Sequence, residues 1–288
     1  MNTLVLASVL LVIACLSCGC TGEIHGEDID DEQVAEAEGA VLAANALAPG
    51  ALAPGALAPG ALAPNALAPN ALAPGALAPA AMAAIQAATA DGDAARALVK
   101  YAVSCALPPG QSFDFSWQDS SGAARHESYP GLLGLAPEWA TGPLADETRK
   151  RLVSGCLAAR VNHYGVQVIV SVRSLVPPLE PPCDSQELVD YPHVEGAFWG
   201  NLFTNTPYLS ACHDADNVAV SRQAMRDCAV GHLSGGQTVP CGIIVLRGPC
   251  SEWCQTESGA GQYYSSCVDE PDVAGSPATN VVITTALP

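Results

Sequence analysis

Residues able to carry hydrolytic chemistry gather in the last third of this 288-residue chain. His232 precedes Ser234 by two positions, and Asp214, Asp216 and Asp227 lie upstream. A nucleophile, a base and an orienting carboxylate are therefore available for a serine-hydrolase triad. The local sequence argues against that assembly. Gly-x-Ser-x-Gly is missed because position 232 is His rather than Gly. The Gly-Asp that precedes the serine of trypsin-like proteases is missing, and Ala211-Cys212-His213 carries the residues of their histidine motif in reversed order.

Leu233-Ser234-Gly235-Gly236-Gln237 also spells the signature pentapeptide of ATP-binding-cassette transporters. That pentapeptide acts opposite a phosphate loop whose lysine reaches the phosphates. The two lysines, Lys100 and Lys150, follow Val99 and Arg149, so neither belongs to such a loop. The segment reads instead as a Gly-rich turn between Cys228 and Cys241. Metal ligation is the next reading. Cys228 and His232 are four apart, Cys250 and Cys254 likewise, and on a helix that spacing puts both ligands on one face, as zinc needs. From Cys105 onward there is no Cys-x2-Cys pair, and disulfide bonding is the stronger reading for these cysteines. His213-Asp214-Ala215-Asp216-Asn217 offers closely spaced oxygens, yet lacks the glycine and distal glutamate of a calcium loop, and reads as a solvated turn. Glu195 to Phe203 is aromatic and Gly-punctuated; its Trp199 would bind carbohydrate or peptide if exposed, but core packing is expected. His126, His163 and His193 have no partner at a usable spacing. No catalytic residue, cofactor or metal ligand is assigned.

The elements that must position these groups follow from periodicity. Asp91-Gly92-Asp93 can cap a helix through Ser104 or Cys105, which Pro108-Pro109-Gly110 ends. Phe113, Phe115 and Trp117 alternate as a half-buried strand. Leu152, Val153, Cys156, Leu157, Val161 and Tyr164 trace one stripe of a helix from Asp146 to Tyr164, with Gly165 as its C′ residue. Val166, Val168, Val170 and Val172 alternate as a strand, Ser221 caps a short helix to Val230, and residues 243–246 and 281–284 are further strands. The expectation is an α+β fold: a single disulfide-braced globular domain with a helical N-terminal half and a strand- and loop-rich C-terminal half.

The N-terminus supplies the reason to expect disulfides. Leu4 to Ala14 is a mostly apolar h-region of secretory type, too short for a stable membrane anchor. Val12-Ile13-Ala14-Cys15 resembles a lipobox, with Cys18 and Cys20 as weaker lipid acceptors, so an N-terminal lipid would attach the protein to a membrane. Outside the cytosol cysteines pair. The nine from Cys105 onward (Cys105, Cys156, Cys183, Cys212, Cys228, Cys241, Cys250, Cys254, Cys267) form an odd set, so one stays out of the pairing. Cys105 and Cys156 lie on helical apolar stripes and are the favoured pair. A net charge of −18 excludes a nucleic-acid partner, since phosphate binding needs clustered cations.

Four regions result. Residues 1–20 are the signal and lipobox region. Residues 21–44 form an acidic spacer with nothing large to bury. Residues 45–79 are seven copies of Asn/Gly-Ala-Leu-Ala-Pro, in which a proline every fifth position blocks helix. That linker could reach roughly 110 Å if extended. Every aromatic lies at Tyr101 or later, which places the globular part at 90–288.

The repeats, Leu98–Leu107, Gly134–Trp139, Leu152–Asn162 and Glu195–Asn201 together resemble a family of uncharacterised cysteine-rich exported lipoproteins of Gram-negative bacteria. The resemblance implies an envelope or surface location and transfers no activity; the export signal leaves outer membrane, cell surface, periplasm and secretion as the expected destinations. A non-enzymatic binding, adhesion or structural role toward a surface ligand or protein partner is expected. A secreted hydrolase using His232, Ser234 or metal-bound His213 is the alternative.

Overall fold

A computed structural model describes residues 41–45, 47, 79–181, 186–204, 206–256 and 262–288. Its contacts divide the chain into Met1–Gln33 and Val34–Pro288. The first unit, with Cys15, Cys18 and Cys20, lies outside the described residues, as do residues 48–78 of the repeats and Cys183. The second unit is mixed α and β with mostly sheet content.

The chain runs from β1 (Val41–Asn45) to helices α1 (Pro79–Gln86) and α2 (Ala90–Ala106), then to the hairpin strands β2 (Ser112–Gln118) and β3 (Ala124–Pro130). Helix α3 (Glu147–Ala159), strand β4 (Val168–Arg173) and helix α4 (Gln186–Asp190) follow. Next come β5 (His193–Asn201), β6 (Tyr208–His213), α5 (Val218–Gln223), β7 (His232–Ser234), β8 (Gln237–Val239) and β9 (Ile244–Pro249). Strands β10 (Cys254–Thr256), β11 (Tyr264–Val268), β12 (Ala278–Thr279) and β13 (Ile283–Leu287) complete the order. Six strands form the main sheet in the order β1-β4-β13-β5-β6-β9, antiparallel except for the β6–β9 pair.

Alternation along β5 explains the two sides of this sheet. Phe198 points into one buried cluster with Val170, Val172, Leu209 and Ile283, closed by Leu98, Val103, Leu152 and Leu157 of α2 and α3. Ala197 and Trp199 point into a second cluster with Cys212, Cys250, Tyr264, Cys267 and Val282. Helix α3 lies close on the first face because it presents Gly155: a Cβ there would sit 2.9 Å from Ile283 Cγ1 and 3.2 Å from the Phe198 carbonyl. Trp199 is fully buried, and its indole N–H donates to the Asp269 carbonyl at 3.0 Å, so it is a core residue.

Three expectations are corrected. The N-terminal half is not simply helical, because β1 to β4 interleave with its helices, and bracing is spread over two clusters rather than around one core. The sheet also begins well before residue 90. Val41–Asn45 pairs antiparallel with β4, and Ala43 and Leu47 are fully buried, a small apolar contribution that a boundary drawn from aromatics overlooks. Helix α3 stops at Ala159, short of Tyr164. The Leu47 N–H donates to the Arg160 carbonyl and the Leu47 carbonyl accepts from Asn162 N–H at 2.9 Å, so a long-range pairing captures the groups another turn would use.

Caps differ in detail as well. Thr89, not Asp91, caps α2, its hydroxyl accepting from Gly92 N–H at 3.2 Å. Asp91 and Asp93 fall in the first turn, where the helix dipole favours them. Asp146 caps α3 by accepting from Arg149 N–H at 2.8 Å. Ser221 lies inside α5 rather than at its cap, and that helix ends at Gln223. No helix among the described residues is long and apolar enough to cross a membrane.

Candidate functional site

Four bridges join eight of the cysteines: Cys105–Cys156, Cys212–Cys250, Cys228–Cys241 and Cys254–Cys267. The first links α2 to α3, the pairing favoured from their stripes. The second and fourth lie side by side, with Cys212 Sγ 3.6 Å from Cys254 Sγ. These bonds overturn the zinc readings. Cys228, Cys250 and Cys254 each spend their sulfur on another cysteine, so the two sulfur-rich groups with ligand spacing, Cys212/Cys250/Cys254 and Asp227/Cys228/Cys241, are closed by disulfides.

Two buried ion pairs hold the sheet to its surroundings. Arg173 Nη2 donates to Glu187 at 2.7 Å, and Arg226 Nη2 donates to Glu195 Oε2 at 2.6 Å. The second pair positions the candidate site. Arg226 also donates to the carbonyls of Ala159 and Val161 at the end of α3, and Glu195 Oε2 accepts from the Thr285 hydroxyl at 2.8 Å. Asp227 is therefore fixed on both sides, by the Arg226 ion pair and by the Cys228–Cys241 bridge.

Around Asp227 the fold gathers residues distant in sequence. Asp227 is 1% exposed. Its Oδ2 accepts from His232 Nδ1 at 2.8 Å and from the Tyr164 hydroxyl at 3.1 Å, while its Oδ1 is buried with no hydrogen-bond partner. The His163 ring stacks on His232 at 3.3 Å between centroids and 15° between planes. Tyr164 meets the His232 ring edge-on at 5.4 Å. Both His163 and Tyr164 belong to the turn after α3, where Asn162 Oδ1 accepts from Tyr164 N–H at 2.9 Å and Asn162 Nδ2 donates to the Val166 carbonyl. Burial and the bond to Asp227 raise the Tyr164 pKa above the ordinary phenol range. Arg222 acts on Tyr164 in the opposite direction, and its own Nε is buried without a hydrogen-bond partner. Two residues before Asp227, Met225 holds a left-handed φ of 54° with its side chain exposed, a strained conformation for a residue other than glycine.

The other residues singled out from sequence fall elsewhere. Ser234 is exposed at the end of β7, and Gly235 and Gly236, at φ 59° and 81°, form the two-residue turn into β8. No hydrogen bond joins Ser234 to His232 among the described residues, so Asp227 and His232 meet while the serine stands apart. His213 faces Arg222 and Asp214, and burial, with help from Arg222, lowers its pKa below the ordinary histidine value. Asp214 Oδ1 accepts from Asp216 N–H at 3.0 Å, which makes residues 213–217 a side-chain-stabilised turn. His126 lies beside Ser116 and His193 beside Asn217, each with Nδ1 at 3.3 Å from the neighbouring oxygen. His163 and Tyr164 were not legible as site residues, since Tyr164 and Asp227 are 63 positions apart and no spacing links them. No protein-family model matches the chain, and no curated protein or solved structure was found that matches it.

Proposed function

We propose that this is an exported, cysteine-rich lipoprotein of the cell envelope, with a non-enzymatic binding, adhesion or structural role. A lipid at Cys15 (or at Cys18 or Cys20) would attach it to the membrane through the acidic segment before Val41; the five-residue repeats, which follow β1 and precede α1, would leave and rejoin the folded part rather than space it from that surface. The observation that carries this reading is the set of four disulfides, a pattern that reducing cytoplasm does not sustain. The test is intact mass and cell fractionation of the native protein. Four bridges, a diacyl mass increment and recovery with membranes are the expected results; recovery from the cytoplasm with free thiols would overturn the proposal.

A second reading, a secreted hydrolase, is favoured by one contact, the 2.8 Å bond from His232 Nδ1 to Asp227, which orients an imidazole as catalytic bases are oriented. Fluorophosphonate labelling that is present in the wild type and lost in Ser234→Ala would support it.

A further inference from the structure

The envelope role leaves the paired imidazoles of His163 and His232 without a task. We propose that His232 Nε2, assisted by His163, binds a divalent cation of intermediate softness such as Zn2+ or Cu2+. This inference stands independently of where the protein resides.

The chemistry begins with Asp227. Its carboxylate accepts the Nδ1 proton of His232, which fixes the tautomer and leaves the Nε2 lone pair directed away from Asp227. A carboxylate behind an imidazole is the outer-sphere arrangement that orients metal-bound histidines and raises their basicity. Asp227 also lacks a cationic hydrogen-bond partner, although the Arg222 guanidinium acts on the adjoining Tyr164. Its two hydrogen-bond partners are an imidazole N–H and a phenol, its Oδ1 has none, and the adjacent Arg226 is committed to Glu195. A cation on the far nitrogen of His232 supplies positive charge through the ring. The imidazole is partly open to solvent, with 16% of the side chain exposed, so an ion can reach it.

His163 adds the second donor. It is exposed and in van der Waals contact with the His232 ring. Lone pairs lie in the ring plane, so two parallel rings do not aim at one ion, and His163 must turn out of the stack to share it. Imidazole suits zinc and copper better than calcium or magnesium. The sulfur groups that could compete are already bonded in pairs. A net charge of −18 raises the local concentration of any cation.

The test uses the untagged, oxidised full chain, dialysed against ZnCl2 or CuCl2, with electron paramagnetic resonance of the copper form. The expected result is one tightly held ion per chain, with nitrogen hyperfine splitting from imidazole. His232→Ala should abolish that signal, and Asp227→Asn should weaken binding by about 10–100-fold. His163→Ala changes an exposed side chain, and should weaken binding and reduce the number of coupled nitrogens. Oxygen-only coordination that survives in His232→Ala would assign the ion to acidic residues elsewhere and overturn the proposal. So would affinity unchanged in His163→Ala, or no ion retained at micromolar free metal.

Discussion

The Cys105–Cys156 bridge should contribute more stability than any other disulfide among the described residues, and its contribution can be worked from chain separation. In the loop-entropy account the bridge acts on the unfolded chain, and its effect grows with the logarithm of the loop it closes. A separation of 51 residues gives about 4 kcal/mol at 25 °C, against about 3 kcal/mol for the 13-residue separation of Cys228–Cys241. Both Cys105 and Cys156 are fully buried between α2 and α3, so alanine is the replacement that adds no polar atom to that interface. The double variant Cys105→Ala/Cys156→Ala should lower Tm by roughly 8–16 °C, at about 2–4 °C per kcal/mol for a domain of this size. Urea unfolding of the oxidised proteins, followed by tryptophan fluorescence, measures the difference directly. A loss below about 1 kcal/mol, or a larger loss from Cys228→Ala/Cys241→Ala, would refute the reasoning, because the order of the two follows from loop length alone.

Three further outcomes are expected. Glu195→Ala strands the buried Arg226 guanidinium and should cost about 3–5 kcal/mol in chemical denaturation, and the double variant Glu195→Leu/Arg226→Met should recover much of it. Gly155→Ala forces a methyl to within 2.9 Å of Ile283 Cγ1 and should destabilise by about 1–3 kcal/mol, a cost that should shrink in an Ile283→Ala background, which removes that atom. His213 has a lowered pKa, so the folded state resists the proton that the unfolded chain accepts. Its contribution is complete above about pH 6.5 and is lost as the pH falls below that value, and a His213→Asn variant should show a flatter stability profile across that range.

Periodicity made much of this fold legible. The alternating valines of β4, the aromatics of β2 and the stripes of α2 and α3 each bury one face, and a buried face leaves a period in the sequence. Where long-range pairing decides, that signal fails. Leu47 ends helix α3 five residues before its stripe does, and nothing in residues 160–164 announces a partner more than a hundred positions upstream. Strand β1 was hidden for a related reason, since Val41 to Ala44 follows an acidic stretch and carries no aromatic. The candidate site was half visible. Residue types make Asp227 one of three aspartates, with Asp214 and Asp216, able to serve His232, and only the fold selects it, whereas His163 and Tyr164 reach the site only through the turn that α3 makes on ending early.

Strand β13, last in the chain order, sits between β4 and β5 and carries hydrogen bonds to both. Until Ile283 to Leu287 have been synthesised, β1–β4 and β5–β6–β9 have no common neighbour and the sheet stays in two pieces. A nonsense codon even a few residues before Ile283 would leave both pieces without the strand that unites them.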